Sequence, residues 1–422
     1  MRTGTGASFA ITGVALLRDR IAWTTKTIRM KKTTEATTLT ASVVAACALI
    51  CHHPARRPPA VLSPTVPERW AAAQSYRADE ALTSTALELL ACRMGKVVQV
   101  TRFGPPEVLA TIAVPDLVPG PGEVIIAVSA ADVLLLDAVI RSGLAAAWFP
   151  LITPPYVPGN GVAGRVSAVG EGVDRGWTGR AVIARTGGSG GSGGYLEQAR
   201  VQAGQLVAVP DGVGLPEAAA VLHDGATALG LADSTGIRPG EQVLILGAAG
   251  GLGILIGQLA RAAGARVIAA ARGKPKLDLL AELGAGAVVD YSEPDWPGQV
   301  ARLTGGAGPD VVFDGVGGEL GAAAFEMIAD GGRFSAHGAA SGGFAPIGAD
   351  QAARRGVTVR GIEQVQFGPG EHERLAGQAL AALAAGRIRP VIGQVFPLPQ
   401  AADAHLALET RSAVGKTLLT VA

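Results

Sequence analysis

The chain has 422 residues and a net charge of +1, with 48% hydrophobic and only 4% aromatic residues. So balanced a charge gives no global field for nucleic acid or an anionic membrane, and so few aromatics argue against base stacking. No apolar run reaches the ~20 residues of a membrane span, and the length suits two domains with a tail.

Residues 1–93 stand apart. They carry twelve Lys/Arg against six Asp/Glu, the Pro-rich "HHPARRPPAVLSPTVP", and all three cysteines, Cys47, Cys51 and Cys92. Within them "LTASVVAACALIC" follows Arg29, Lys31 and Lys32, as in an export signal, although "HHPARRPP" makes a poor cleavage region. The segment reads as a disordered extension or a start placed too far upstream, and Met94 opens a clean new pattern. With no cysteine after Cys92, the main body has no disulfides, which is compatible with a reducing cytoplasm.

From residue 94 to about 215 the chain runs in short β-branched stretches broken by Gly and Pro: "KVVQVT", "EVIIAVSA", "GRVSAVG", "RAVIART", "EQARV" and "LVAVP". That spacing predicts a barrel-like β unit. "GGSGGSGG" (187–194) reads as a flexible loop between two of its strands. A helix is expected over "LPEAAAVLHDGATALGLAD". Strand and helix then alternate: "QVLILG", "GLGILIGQLARAAG", "RVIAAA", "KPKLDLLAELGA", then the strands "AVVDY" and "VVFDGVG", the helix "GAAAFEMIAD", and the strands "GRFSAHG" and "VTVRGIE". Alternation of this kind predicts a parallel sheet covered on both faces. The tail supplies one more helix and then strands.

"VLILGAAGGLGILIGQLARAAGARVIAAAR" is one βαβ unit with a glycine-rich turn at the helix N-terminus, where unpaired N–H groups attract phosphate. Gly247 suits the tight turn, Gly250 the close approach of a pyrophosphate, and Gly253 helix-to-strand packing, with Gly251 and Leu252 between them. The spacing is G-x-x-G-x-x-G. Strand, turn, helix and second strand together point to a dinucleotide. Where NAD would want an acid, the second strand ends "AAARGKPKLD", with Arg272, Lys274 and Lys276. Cations there suit a 2′-phosphate and favour NADPH. A solvated basic helix start is the competing reading.

A β-rich domain followed by a Rossmann unit resembles the medium-chain dehydrogenase/reductase superfamily, and within it the zinc-free quinone oxidoreductases. The resemblance runs from about Met94 to Ala422 and is carried by "GPPEVL", "PGPGEVIIAVSA", "PYVPGNGVAGRVSAVGEGV", "AAAVLHDGATALGL", "VLILGAAGGLG", "FDGVGG" and "VGKTLLTVA". It implies an α/β fold. A GroES-like catalytic domain (94–218, completed by 358–422) would embrace a doubly wound Rossmann domain (219–357). It also implies that Lys276, Tyr291 and Arg411 approach the 2′-phosphate and that Thr227 lies near the nicotinamide carboxamide; for Tyr291 and Arg411, ordinary surface packing is the alternative.

Zinc relatives place a His-Glu pair where this chain has Asn160 and Gly161, and His223, His337, His372 and His405 are scattered in sequence. No metal site is expected in the main body. Hydride chemistry then falls to the coenzyme, while the protein orients it. Asp137, Asn160 and Tyr195 are the candidate positioning residues, with Tyr156 and His223 nearby; Asp137 reads equally as a helix cap or a partner for Arg141. The expected activity is NADPH-dependent reduction of a quinone or an α,β-unsaturated carbonyl, in the cytoplasm. The alternatives are an enoyl-thioester reductase of a biosynthetic pathway or a non-catalytic NADPH-binding sensor. By resemblance the assembly is a homodimer, with "VTVRGIE" as an edge strand that could pair across subunits.

Overall fold

The computed structural model describes residues 94–186, 193–368 and 370–421. The expectations for residues 1–93 and for most of the Gly-Ser loop lie outside these.

In chain order the first half contains β1 (Met94–Val100), β2 (Leu109–Pro115), β3 (Glu123–Val133), α1 (Leu135–Ser142), β4 (Gly161–Val169), β5 (Ala181–Arg185), β6 (Gln198–Gln202) and β7 (Val207–Ala208). The long helix α2 (Leu215–Thr235) leads into β8 (Gln242–Leu246), α3 (Gly251–Ala262), β9 (Arg266–Ala271), α4 (Lys274–Glu282), β10 (Ala287–Asp290), α5 (Trp296–Leu303), β11 (Val311–Asp314), α6 (Gly318–Met327), β12 (Arg333–Ala336), α7 (Ala349–Arg354) and β13 (Thr358–Arg360). The chain ends with α8 (Glu371–Ala384), β14 (Ile392–Pro397), α9 (Ala401–Glu409) and β15 (Lys416–Thr420).

Six parallel strands form one sheet in the order β10-β9-β8-β11-β12-β13. This is the doubly wound Rossmann order, with a crevice beside β8 where the winding reverses. The middle strands are apolar along their whole length because both faces are covered: Val243 and Ile245 pack toward α2 and α8, Leu244 and Leu246 toward the opposite core with Trp296 and Phe334. β13 closes one edge with all three residues exposed.

A second sheet runs β14-β15-β3-β4-β5-β7, with β6 also paired to β3; its pairings are antiparallel except β14 with β15. Its strands come from both sides of the Rossmann segment, so β15 completes a sheet begun by β3. The hairpin β1–β2 is separate.

Four elements depart from the sequence reading, one of them the short helix α7 between β12 and β13. β2 is a further strand. α5 stands between β10 and β11, where the sequence reading placed no helix; Pro297 in its first turn is favourable. The tail holds two helices, because α9 is too short and alanine-rich to show a clear apolar period.

His337, His372 and His405 are packed inside, at most 8% exposed. Burial pushes their pKa values down from 6.5 to about 4, 3 and 3. A neutral imidazole of this kind contributes stability that is whole above pH 6.5 and is lost as the pH falls through that value, because only the unfolded chain takes the proton. Between pH 7 and 5 the loss is about 2 kcal/mol per imidazole. In urea titrations His405→Gln should shrink the drop in unfolding free energy over that interval by about the same amount; an unchanged drop would mean His405 is charged in the folded protein.

Candidate functional site

β8 ends at Leu246, and the chain turns through Gly247 with φ at +70°, a conformation that penalises any side chain. Gly253 is held by packing: a Cβ there would stand 2.6 Å from the Gly247 carbonyl oxygen and 2.7 Å from Ala248 Cα. Gly250 is different. Its φ is −81°, and a Cβ would meet nothing nearer than the Gly247 carbonyl oxygen at 3.5 Å. The chain does not itself demand glycine there, and Gly250 faces a cavity. α3 starts at Gly251 without a side-chain cap, leaving first-turn N–H groups for an anion.

The cavity has a volume of about 440 Å³ and runs past the carboxyl ends of the parallel strands, with Gly247 beyond β8, Arg272 beyond β9, Tyr291 beyond β10, Gly315 beyond β11 and His337 beyond β12. Gly250, Gly251, Leu252 and Gly253 also line it. One end gathers Arg272, Lys276, Tyr291 and Arg411, which the sequence reading grouped and which come from three separate segments. Lys276 Nζ donates to the Arg411 carbonyl at 2.7 Å. Burial, then the like charges of Arg411 and Arg272, hold its pKa below the usual lysine value. Arg411 takes a left-handed backbone, φ 60°, and its guanidinium donates to the Ala340 carbonyl. Among the described residues none of these three cations pairs with a carboxylate. Lys274 instead pairs with Asp278 at 2.8 Å, away from the cavity. Asp290, the last residue of β10, is turned to the Gly273 N–H at 2.9 Å and to Ser292.

Asp137, Asn160 and Tyr195 also come together, but apart from the cavity walls. Asn160 Nδ2 donates to Asp137 Oδ1 at 3.1 Å, the Tyr195 hydroxyl donates to Asp137 Oδ2 at 3.2 Å, and that hydroxyl lies 3.0 Å from His405 Nε2. Asp137 caps α1 by accepting from the Leu134 N–H at 2.9 Å, as the cap reading of it expected. The expected partner Arg141 lies elsewhere: it is spent on Glu409 and the Gly104 carbonyl. Burial, reinforced by the charge of Asp132, pushes the Asp137 carboxyl up to about 6. Leu134 and Leu135, held by this cap, do line the cavity. Thr227 is half-buried on α2 and does not.

The largest omission of the sequence reading is an ionic cluster under the glycine turn. Lys416, 3% exposed, places Nζ 3.2 Å from Asp224 and 3.5 Å from Asp132. Asp132 also meets His223 Nδ1 at 2.7 Å. Burial pushes the Lys416 ammonium down, but Asp224 and Asp132 outweigh it and hold the pKa above the lysine value. A side chain on Gly251 would run into Asp224. The Gly415 N–H donates to the Ala249 carbonyl at 2.8 Å, so β15 is fastened to the glycine turn directly. His223 and His372, distant in sequence, have ring centroids 5.2 Å apart. Even so, no group of three His, Cys, Asp or Glu among the described residues could hold a metal. Nor is any helix among them long and apolar enough to cross a membrane.

A doubly wound sheet beside a discontinuous antiparallel one, with a glycine turn at their junction, is the architecture of a medium-chain dehydrogenase/reductase. The alcohol dehydrogenase GroES-like domain model matches residues 120–211 and the zinc-binding dehydrogenase model residues 251–380. The quinone oxidoreductases of Sus scrofa and Pseudomonas aeruginosa are each 32% identical over 78% and 77% of this chain and 98% and 99% of their own. Among solved structures, Pseudomonas syringae quinone oxidoreductase aligns at 31% identity with a TM-score of 0.70, covering 78% of this chain and all of its own. The Escherichia coli quinone oxidoreductase complexed with NADPH aligns at 27% identity with a TM-score of 0.70, covering 77% and 100%. The chain belongs to the quinone oxidoreductase family of this superfamily.

Removing Lys416 strands Asp224 and leaves Asp132 with His223 alone. Lys416→Met should cost about 3–5 kcal/mol of unfolding free energy, and adding Asp132→Asn should return part of it. Urea midpoints of the two variants check this.

Proposed function

We propose that the chain is an NADPH-dependent oxidoreductase that passes a hydride to a quinone or an α,β-unsaturated carbonyl without zinc. The observation that carries this is the cation-lined end of the cavity: Arg272, Lys276 and Arg411, with Tyr291, and no carboxylate at the end of β9. Burial and the charges of Arg411 and Arg272 weigh against the Lys276 ammonium; a phosphate dianion would relieve this, whereas NADH would leave it uncompensated. The room above Gly250 suits a pyrophosphate at the N-terminus of α3.

When bound, the coenzyme supplies a hydride; the acceptor takes it together with one proton. What the chain contributes is alignment and exclusion of water. Zinc independence rests on donor chemistry: Asn160 and Gly161 offer neither imidazole nor carboxylate where zinc relatives carry their pair, and the Asn160 amide is engaged with Asp137. We further propose the domain division 94–218 with 358–422 around 219–357, supported by the pairing of β15 with β3. A homodimer through the exposed edge strand β13 and a cytoplasmic location belong to the same reading.

Coenzyme oxidation screened against quinones, enones and enoyl thioesters tests the function, with NADH beside NADPH; a tenfold preference for NADH would overturn it, and tight NADPH binding with no turnover would make the chain a sensor. Arg272→Ala and Lys276→Ala should each raise the NADPH Kd about tenfold to a hundredfold and leave the NADH Kd within about threefold. Fluorescence titration of the reduced coenzyme measures both.

A further inference from the structure

His337 is the first residue after β12 and lines the cavity. Its two ring nitrogens differ. Nδ1 lies 3.1 Å from Ser335 Oγ, and that oxygen accepts from Gln364 Nε2 at 3.2 Å. The same Gln364 nitrogen donates to the Gly361 carbonyl at 3.0 Å; a carbonyl only accepts, so this end of the side chain is the amide nitrogen. With that amide donating into the Ser335 oxygen, the serine hydroxyl has its own proton left for His337 Nδ1. The tautomer assigned from this network carries the ring proton on Nε2.

Nε2 has no hydrogen-bond partner among the described residues, and it is not sealed off as both nitrogens of His372 and Nδ1 of His405 are. A Cβ on Gly315, itself a cavity residue, would stand 3.4 Å from it, so Nε2 faces the space beyond β11 and β12. Strand order gives that space its meaning. The cations lie beyond β9 and β10, the glycine turn beyond β8. A coenzyme with its 2′-phosphate on the cations and its pyrophosphate on the turn has its nicotinamide end beyond β11 and β12.

We propose that His337 is a fixed hydrogen-bond donor, through Nε2–H, to a carbonyl oxygen at the nicotinamide end of the cavity. The inference rests on the coenzyme reading above and names a residue that reading does not use. Two carbonyl oxygens reach this end, that of the nicotinamide carboxamide and that of the acceptor. Because burial keeps the imidazole neutral down to about pH 4, it keeps its proton across the working range and orients its partner rather than protonating it.

The test compares His337→Phe, which keeps a ring and loses the donor, with His337→Gln, which restores an N–H at similar reach; urea midpoints confirm that both fold. If the partner is the carboxamide, the Phe variant raises the NADPH Kd about tenfold; if it is the acceptor, the Kd is unchanged and kcat with a small quinone or enone falls about tenfold. In either case Gln recovers most of the loss, and the pH–rate profile from pH 5 to 9 keeps its shape. A folded Phe variant with both constants within twofold of wild type, or a Gln variant as impaired as Phe, overturns the inference. Should the Phe variant not fold, Ser335→Ala releases the tautomer and should shift one of the two constants about threefold; no shift overturns it. A wild-type chain that binds no NADPH overturns the coenzyme reading itself, and is told apart because it shows before any variant is compared.

Discussion

One buried ammonium sits where everything meets. Lys416 opens β15, the strand that completes the antiparallel sheet, and its partners are Asp132 at the end of β3 and Asp224 on α2. Each charge alone would be expensive to take out of water, and of the two carboxylates only Asp132 has a second partner, His223. The contact is therefore strict about geometry: the two sheets must approach so that one lysine reaches both carboxylates. The backbone bond from Gly415 to Ala249 locks the same approach onto the glycine turn. Asp224, Gly415 and Lys416 themselves line the cavity, so the constraint is part of its wall.

A second polar group does comparable work on the facing wall. Asn160, Asp137, Tyr195 and His405 join α1, the residues before β4 and β6, and α9 through side chains alone. None of the four lines the cavity, yet the carboxylate among them holds the Leu134 N–H, and Leu134 and Leu135 do line it. Polar side chains here shape the site by fixing apolar ones. Trp148 and Phe344, with ring centroids 6.3 Å apart, add a further contact between the segment after α1 and the segment after β12.

What could be read from the sequence follows from how local each signal is. The β8–α3–β9 unit is legible because strand, turn and helix are contiguous and the glycines sit at fixed offsets. Arg272 and Lys276 are legible because they follow that unit directly. Tyr291 and Arg411 are legible only through likeness to relatives. Asp132, Asp224 and Lys416 carry no local pattern; each looks like an ordinary charged residue until three distant segments fold together. His337 is the same case, since its importance lies in which nitrogen bears the proton, and that is set by Ser335 and Gln364. Thr227 shows the opposite limit: a residue carried over by likeness lies one helical turn from the ionic cluster but outside the cavity. α5 carries Pro297 in its first turn, and the sequence reading placed no helix there.

The discontinuity of the antiparallel sheet has a consequence for biosynthesis. β3 leaves the ribosome early and must wait, with its last four residues, Ala130–Val133, unpaired on one edge and Asp132 without its lysine, until the last strand emerges. The parallel sheet, whose strands are consecutive in the chain, is free to form in the meantime and to serve as the platform on which the other closes. Translation that stopped just short of Lys416 would release a chain whose parallel sheet is largely built but whose antiparallel sheet lacks an interior strand, a product suited to capture by chaperones or proteases.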